Sequence, residues 1–188
     1  IFMKLFIKLL TLIIITTTYS HSEQNNNNSG TYYKIGVFDH VHETDMLAIN
    51  KKKITENKIS VNILGELTQV YDLMLFYDSD ESLTLDNQSN KKNREEYAFY
   101  VSTGLQKEFN PSKGFFIVPS FSIGLYNEFD QGKDMGSPLE FKSEIEFNFA
   151  TKNNIMFGVT FNHISNANIG SKNPGSDSIF VGFKSETN

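Results

Sequence analysis

The stretch LEFKSEIEFNFA (139–150) constrains the fold more than any other part of this sequence, because apolar and polar residues alternate along its whole length. Alternate residues of a β-strand point to opposite faces. One face would carry Phe141, Ser143, Ile145, Phe147 and Phe149, and the other Glu140, Lys142, Glu144, Glu146 and Asn148. The run is about as long as a membrane-crossing strand, and its polar face is unusually charged. The pattern favours a transmembrane β-barrel, with an exported soluble β-sandwich as the alternative.

Seven further strands complete the prediction of an all-β, eight-stranded antiparallel up-and-down outer-membrane barrel. The clear ones lie at 97–109, 115–129, 155–166 and 178–184, with turn-like residues at 110–114, 130–137 and 151–154. The first half predicts strands at 32–40, 58–67 and 70–78, although 55–77 could also form an amphipathic helix, and a long charged loop at 78–96. Short connections between sequential strands are typical of such a barrel, and side chains fill an interior of this size.

The N-terminal segment predicts export. Lys4 and Lys8 precede the apolar stretch LLTLIIITTT (9–18), which is too short to span a bilayer. We expect a cleavable signal peptide at 1–22, with an uncleaved anchor as the alternative, a polar low-complexity lead-in at 23–30 and a barrel domain at 31–188.

Composition excludes several classes of function. The formal net charge of −5 gives no electrostatic footprint for nucleic acid. The chain has no Cys, which excludes disulfides, thiolate metal sites and thiol catalysis. Aromatic residues make up 13% of the chain, which is rich for an average soluble domain. No cofactor is predicted.

Three polar residues in FNHISNANIGSKNPGSD (161–177) lie on the predicted apolar wall. His163 and Ser165 continue the row that contains Phe161, and Asp177 is in phase with Ile179. Polar groups on a lipid-facing wall are costly unless they satisfy one another. A histidine between a serine and a carboxylate would do so and would also activate the serine as a nucleophile. The alternative is that these residues mark the point where the strand leaves the bilayer.

The block HISNANIGSKNPGSD (163–177) resembles the His-x-Ser-Asn-Ala motif and the downstream Asn and acid of the lipid A 3-O-deacylases, the PagL-type acyloxyacyl hydrolases. The resemblance also includes 124–147 and extends over about 97–184. It implies an outer-membrane barrel that hydrolyses the ester-linked 3-hydroxyacyl chain at position 3 of lipid A, with lipopolysaccharide as the substrate. By motif position, Ser165 is the nucleophile, His163 the general base and Asp177 the triad acid.

The resemblance extends to two asparagines. Asn166 and Asn173 fall on the motif asparagines, which implies oxyanion stabilisation or loop positioning. Asp177 stands where we would expect Glu, and Asn168 stands where the family pattern has Gly. A non-catalytic small outer-membrane barrel with a structural or ligand-binding role is the competing interpretation.

Other charged groups have simpler explanations. His40 and His42 lack a third spaced ligand, so we expect a polar strand end and no metal site. The acids of 139–150, which could suggest glycoside chemistry, predict an ion-pair network with Lys142 inside the barrel. Lys51–Lys53 and KKNREE (91–96) predict solvated loop charge or contacts with lipopolysaccharide phosphates.

Overall fold

The computed structural model describes residues 29–38, 46–79, 95–129, 133–151 and 155–186, and these ranges contain β-strands and no helix. The strands are β1 (Gly30–Phe38), β2 (Met46–Val61), β3 (Gly65–Ser79), β4 (Glu95–Gln106), β5 (Phe109–Ser112), β6 (Phe115–Phe129), β7 (Leu139–Ala150), β8 (Met156–Ser165) and β9 (Ser176–Glu186). The predicted signal peptide, His40, His42 and most of the 78–96 loop lie outside the described residues.

Every strand pairs antiparallel with its neighbours, and the pairing of β4 with β6 closes the sheet. The short β5 does not count as a ninth strand of the barrel. It continues β4 along the same edge of β6, because β4 pairs with one part of β6 and β5 with another. The pairing with β6 is interrupted between β4 and β5, opposite Pro119. The Pro119 carbonyl accepts a hydrogen bond from the Lys107 N–H, but proline has no N–H to donate in return. The predicted eight-stranded antiparallel barrel is confirmed.

The register fixes the inclination of the strands. One row of directly paired residues runs around the barrel through Phe115, Phe149, Phe157, Phe183, Tyr33, Lys51, Leu73, Val101 and Leu125. The row leaves β6 at Phe115 and returns to β6 at Leu125, ten residues further along. For eight strands spaced about 4.8 Å apart, with about 3.3 Å per residue, this stagger tilts the strands by about 40° from the barrel axis.

Three interpretations of the first half are wrong. The segment 58–67 is not one strand, because a turn at 62–64 divides it between β2 and β3. The alternative helix at 55–77 is also absent, since these residues form β2, the turn and β3. Lys51–Lys53 are strand residues of β2 and not loop charge, and Lys52 is fully buried in the barrel.

The alternation places side chains as expected. Outward residues such as Phe121 and Val181 are more than half exposed on the outer wall, at 53% and 55%. Inward residues are buried and form two layers. An apolar layer consists of Phe38, Met46, Ala48, Met74, Phe76, Ala98, Tyr100, Tyr126, Met135, Ile164 and Phe180.

Next to the apolar layer lies a buried ion network that confirms the expected interior pairing for Glu144 and Glu146. Glu140 is also buried, but its carboxylate has no ion-pair partner among the described residues. Lys142 Nζ lies 2.8 Å from Asp72 and 3.0 Å from Glu144, and Lys52 Nζ lies 2.9 Å from Glu144 and 2.7 Å from Glu146. Lys34 also contacts both glutamates. Because lysines hold these acids deep inside the barrel, the glycoside interpretation has no accessible carboxylate pair.

The two ends of the barrel differ. Four connections, 39–45, 80–94, 130–138 and 166–175, leave one end, which we call the loop end because three of them have nine or more residues. The connections 62–64, 107–114 and 151–155 leave the other, the turn end, and 107–114 includes the short β5. The C-terminus of β8 and the N-terminus of β9 are therefore at the loop end. Within the described ranges, no helix is long and apolar enough to span a bilayer.

Candidate functional site

The side chains of His163 and Asp177 are within hydrogen-bond distance of each other on the outer wall, near the loop end. They are direct partners in the β8–β9 ladder, and His163 Nδ1 lies 2.9 Å from Asp177 Oδ1. Their side chains are 24% and 26% exposed, so the contact is largely but not fully covered. The shorter Asp177 therefore reaches His163, because strand pairing brings the two residues side by side.

Ser165 is the last residue of β8 and shares the outward face with His163. Its direct partner is Phe141 of β7, and its side chain is half-buried. The structure thus shows a contact between His163 and Asp177 and places Ser165 two residues further along the same face.

Gly175 packs its backbone against the edge of the His163 ring. A Cβ at this position would lie 2.9 Å from Cε1 and 3.4 Å from Nε2 of His163. Its φ of 65° is also in the left-handed region that favours glycine. The glycine therefore lets the incoming loop close over the ring edge that carries Nε2.

Asn166 is fully buried and holds the 166–175 loop together. Its amide nitrogen donates to the carbonyls of Met135 at 2.8 Å and Lys172 at 2.7 Å, while its Oδ1 accepts the Asn168 N–H at 2.9 Å. Both amide hydrogens are engaged by protein carbonyls. The motif implies either oxyanion stabilisation or loop positioning for Asn166, and these contacts favour loop positioning.

Asn173 contacts the end of β8 from the same loop. Its Oδ1 accepts the Asn166 backbone N–H at 3.1 Å. Because a backbone N–H can only donate, this bond fixes which end of the Asn173 amide is the oxygen. The Nδ2 end of the Asn173 amide is not used by this bond.

The turn after Asn166 explains one departure from the family motif. Ala167 and Asn168 have positive φ values of 55° and 66°, and the Ile169 N–H closes the turn on the Asn166 carbonyl at 3.1 Å. Asparagine adopts the left-handed region more readily than other residues with a Cβ. Asn168 therefore keeps a backbone conformation that glycine would also adopt.

A second loop supports the first, and sequence reasoning missed it. We call residues 133–138, between β6 and β7, the support segment. The Ser171 N–H donates to the Gly136 carbonyl at 3.1 Å, and Lys172 Nζ lies 2.7 Å from Asp134 Oδ2. A Cβ on Gly136 would lie only 2.2 Å from the Lys172 carbonyl. The glycine in DMGS (134–137) indicates a turn, but it does not indicate that this turn contacts the 166–175 loop.

Asp134 is the charged group of the support segment, and it lies outside the strands. Hydrogen bonds from Lys172 and from the Gly136 N–H hold the pKa of its carboxyl below the ordinary value of 3.8. The carboxylate form is therefore favoured in the docked arrangement. No group of three or more metal-ligating side chains lies within the described part of the chain.

Comparison with known proteins identifies the family. The family model described as "Lipid A 3-O-deacylase (PagL)" matches residues 68–185. The chain belongs to this family. The matched segment extends from β3 to β9, so it contains His163, Ser165, Asp177 and the support segment.

One solved structure supports the fold, and a second is less similar. The structure titled "Crystal structure of the outer membrane enzyme PagL" matches with a TM-score of 0.53 and 16% identity, over 84% of this chain and 99% of the other. A structure of the Yersinia pestis outer membrane protein Ail in a phospholipid bilayer nanodisc matches with a TM-score of 0.46 and 10% identity, over 84% and 100%. Only the first likeness is high enough to support the barrel fold. No protein of curated function matches this chain. Membership of the PagL family and the barrel together indicate an outer-membrane hydrolase.

Proposed function

We propose that this chain is an outer-membrane serine esterase that hydrolyses the ester-linked 3-hydroxyacyl chain at position 3 of lipid A. Ser165 is the nucleophile, His163 the general base and Asp177 the acid that orients it. The observation that carries the proposal is the 2.9 Å contact of His163 Nδ1 with Asp177 Oδ1, on the outer wall and beside the half-buried Ser165.

The contact with Asp177 supports a general-base role for the His163 imidazole. A carboxylate on Nδ1 keeps the proton there, so Nε2 can accept the proton of the serine hydroxyl. The serine oxygen then attacks the ester carbonyl, and the sugar hydroxyl leaves with the proton that His163 returns. Water, activated by the same histidine, releases the acyl chain as a 3-hydroxy fatty acid.

Asn173 is the proposed oxyanion donor. Its oxygen accepts the Asn166 N–H, so its Nδ2 is the end that can donate to the developing negative charge. An asparagine donor of this kind lowers the barrier by a few kcal/mol, on the order of 3. Asn166 acts through this contact, because it fixes the loop that carries Asn173.

The position of the site suits a lipid substrate. Side chains fill the barrel interior, so a substrate reaches His163 only from the outer wall. Outer-membrane barrels have short periplasmic turns and longer extracellular loops, which assigns the loop end to the outer surface. Lipopolysaccharide would reach the site from the outer leaflet of the membrane. Export by a cleavable signal peptide at 1–22 remains part of this proposal.

The test is mass spectrometry of lipid A from cells that express the chain or its variants. We expect the wild type to produce lipid A that lacks one 3-hydroxyacyl chain, and Ser165→Ala to leave lipid A fully acylated. Ser112→Ala, an exposed serine at the turn end, is the matched control and should behave as the wild type. Full acylation with the wild type would contradict the proposal and favour a non-catalytic barrel, whereas loss of the chain with Ser165→Ala would rule out Ser165 as the nucleophile.

A further inference from the structure

Ser143 interrupts the apolar outward face of β7. The outward residues of this strand are Leu139, Phe141, Ser143, Ile145, Phe147 and Phe149. Ser143 is the one polar side chain among them, and it is partly exposed to the membrane side. A polar group on a lipid-facing wall needs a partner, because the hydrocarbon offers none.

The register places Ser143 beside the candidate site. Ser143 pairs directly with His163 of β8, and His163 pairs directly with Asp177 of β9. Side chains of directly opposed residues have Cβ atoms about 5 Å apart. Ser143 therefore flanks His163 on the side opposite Asp177.

The hydroxyl of Ser143 has no protein partner in the described part of the chain. Another outward hydroxyl, that of Thr103 on β4, instead donates to the Val70 carbonyl at 3.3 Å. The other flank of Ser143 is apolar, since its partner on β6 is Phe121, which packs on Phe141 with ring centroids 6.0 Å apart. A short hydroxyl side chain among larger rings leaves room for a ligand to contact it.

Ser143 also lies where an acyl chain would pass. Ser165 is opposite Phe141, whereas Ser143 is opposite His163, two residues further from the loop end. An acyl chain whose ester is at Ser165 and whose tail enters the membrane therefore runs from Ser165 toward Ser143. The third carbon, which carries the hydroxyl, is two bonds from the ester carbonyl carbon, on the membrane side of it.

We propose that Ser143 is a specificity residue whose hydroxyl binds the 3-hydroxyl of the acyl chain. The inference rests on the proposed function, because it requires Ser165 as the nucleophile. The site would select 3-hydroxyacyl esters over plain acyl esters, since only the former give the Ser143 hydroxyl a partner.

The experiment compares p-nitrophenyl 3-hydroxydecanoate with p-nitrophenyl decanoate as substrates of the full chain in detergent micelles. The readout is the ratio of the two kcat/KM values. We expect Ser143→Ala to lower this ratio by roughly 3- to 10-fold, the effect of one neutral hydrogen bond. Ser143→Thr, which keeps a hydroxyl, should preserve the ratio, and so should Thr103→Ala, the matched change on β4.

Each other outcome is decisive. An unchanged ratio in Ser143→Ala, or no preference in the wild type, overturns the specificity role and leaves the esterase proposal intact. Loss of both activities in Ser143→Ala, with Ser165→Ala still active, assigns the nucleophile to Ser143 and overturns both. If all variants cleave both esters at the wild-type rate, the proposed function fails. Heat-modifiable electrophoretic mobility verifies that each variant barrel is folded.

Discussion

His163 and Asp177 lie fourteen residues apart in the sequence and yet their Nδ1 and Oδ1 atoms are 2.9 Å apart. The β8–β9 ladder produces this contact, because it pairs the two residues directly and turns both side chains to the outer wall. The loop between them only has to return the chain to the next strand. The contact therefore depends on barrel register more than on loop conformation.

Replacement of Asp177 by Asn should lower kcat by about 10³- to 10⁴-fold, because the neutral amide no longer holds the Nδ1 proton or stabilises imidazolium. Asp177→Glu keeps the charge and should retain clearly more activity. Rates on an ester substrate measure both. Equal loss in the two variants would indicate that the contact is structural and not catalytic.

Gly175→Ala should reduce kcat/KM by about 10-fold or more, because its Cβ would displace the His163 ring. Gly114→Ala is the matched control. Gly114 also has a positive φ, of 79°, but its Cβ would meet only the Ala150 carbonyl at 3.6 Å. Both variants have the same backbone strain, so only the contact with the ring differs. Steady-state kinetics should separate them; equal activity would show that the ring tolerates the shift.

Asn166→Asp should loosen the 166–175 loop without removing volume. The carboxylate still accepts the Asn168 N–H but faces the Met135 and Lys172 carbonyls with an oxygen instead of two hydrogens. Hydrogen exchange of the loop amides should become faster, and activity should fall with it. Asn127→Asp, an exposed position near the loop end, is the control that should change neither.

The contact between Asp134 and Lys172 should respond to acid. The pKa of Asp134 is lowered in the docked loops, so its stabilisation is fully present above the ordinary value of 3.8. It is lost as the pH falls through the lowered value. Hydrogen exchange of the 166–175 amides should thus gain an acid-dependent step below about pH 4. That step should be missing in Asp134→Asn, and its persistence there would assign it to another group.

Lys142→Met should destabilise the barrel by about 3–5 kcal/mol, because it leaves the buried Asp72 and Glu144 without this cation. Lys58→Met removes an ion pair with Glu66 whose side chains are 57% and 67% exposed, and should cost less than about 1 kcal/mol. Urea unfolding in detergent micelles gives both values. A small effect at Lys142 would mean that water replaces it in the interior.

Sequence periodicity predicted the second half of the barrel well because polar lumen and apolar wall alternate cleanly there, as in β7. It failed in β2, where Lys51 and Lys53 face outward and the register shifts between Ile54 and Lys58. These features hide the two-residue period. Periodicity therefore predicts a strand across the turn at 62–64.

The candidate site also has one part that the sequence predicts and one part that it does not. Phase alone placed His163, Ser165 and Asp177 on one wall, since strand geometry is local. The hydrogen bond from Asn166 to the Met135 carbonyl could not be predicted, because it joins residues 31 positions apart on two loops that the pairing of β7 with β8 brings together. The signal for it, a glycine in 134–137, is common to many turns.

The outward position of the site changes what substrate concentration means. For a side chain on the outer wall of a filled barrel, the relevant quantity is the number of lipid molecules per unit of membrane area around the protein. At a fixed number of substrate molecules, added inert lipid should slow the reaction, while added water should not. The reaction rate would therefore depend on the surface density of substrate in the membrane.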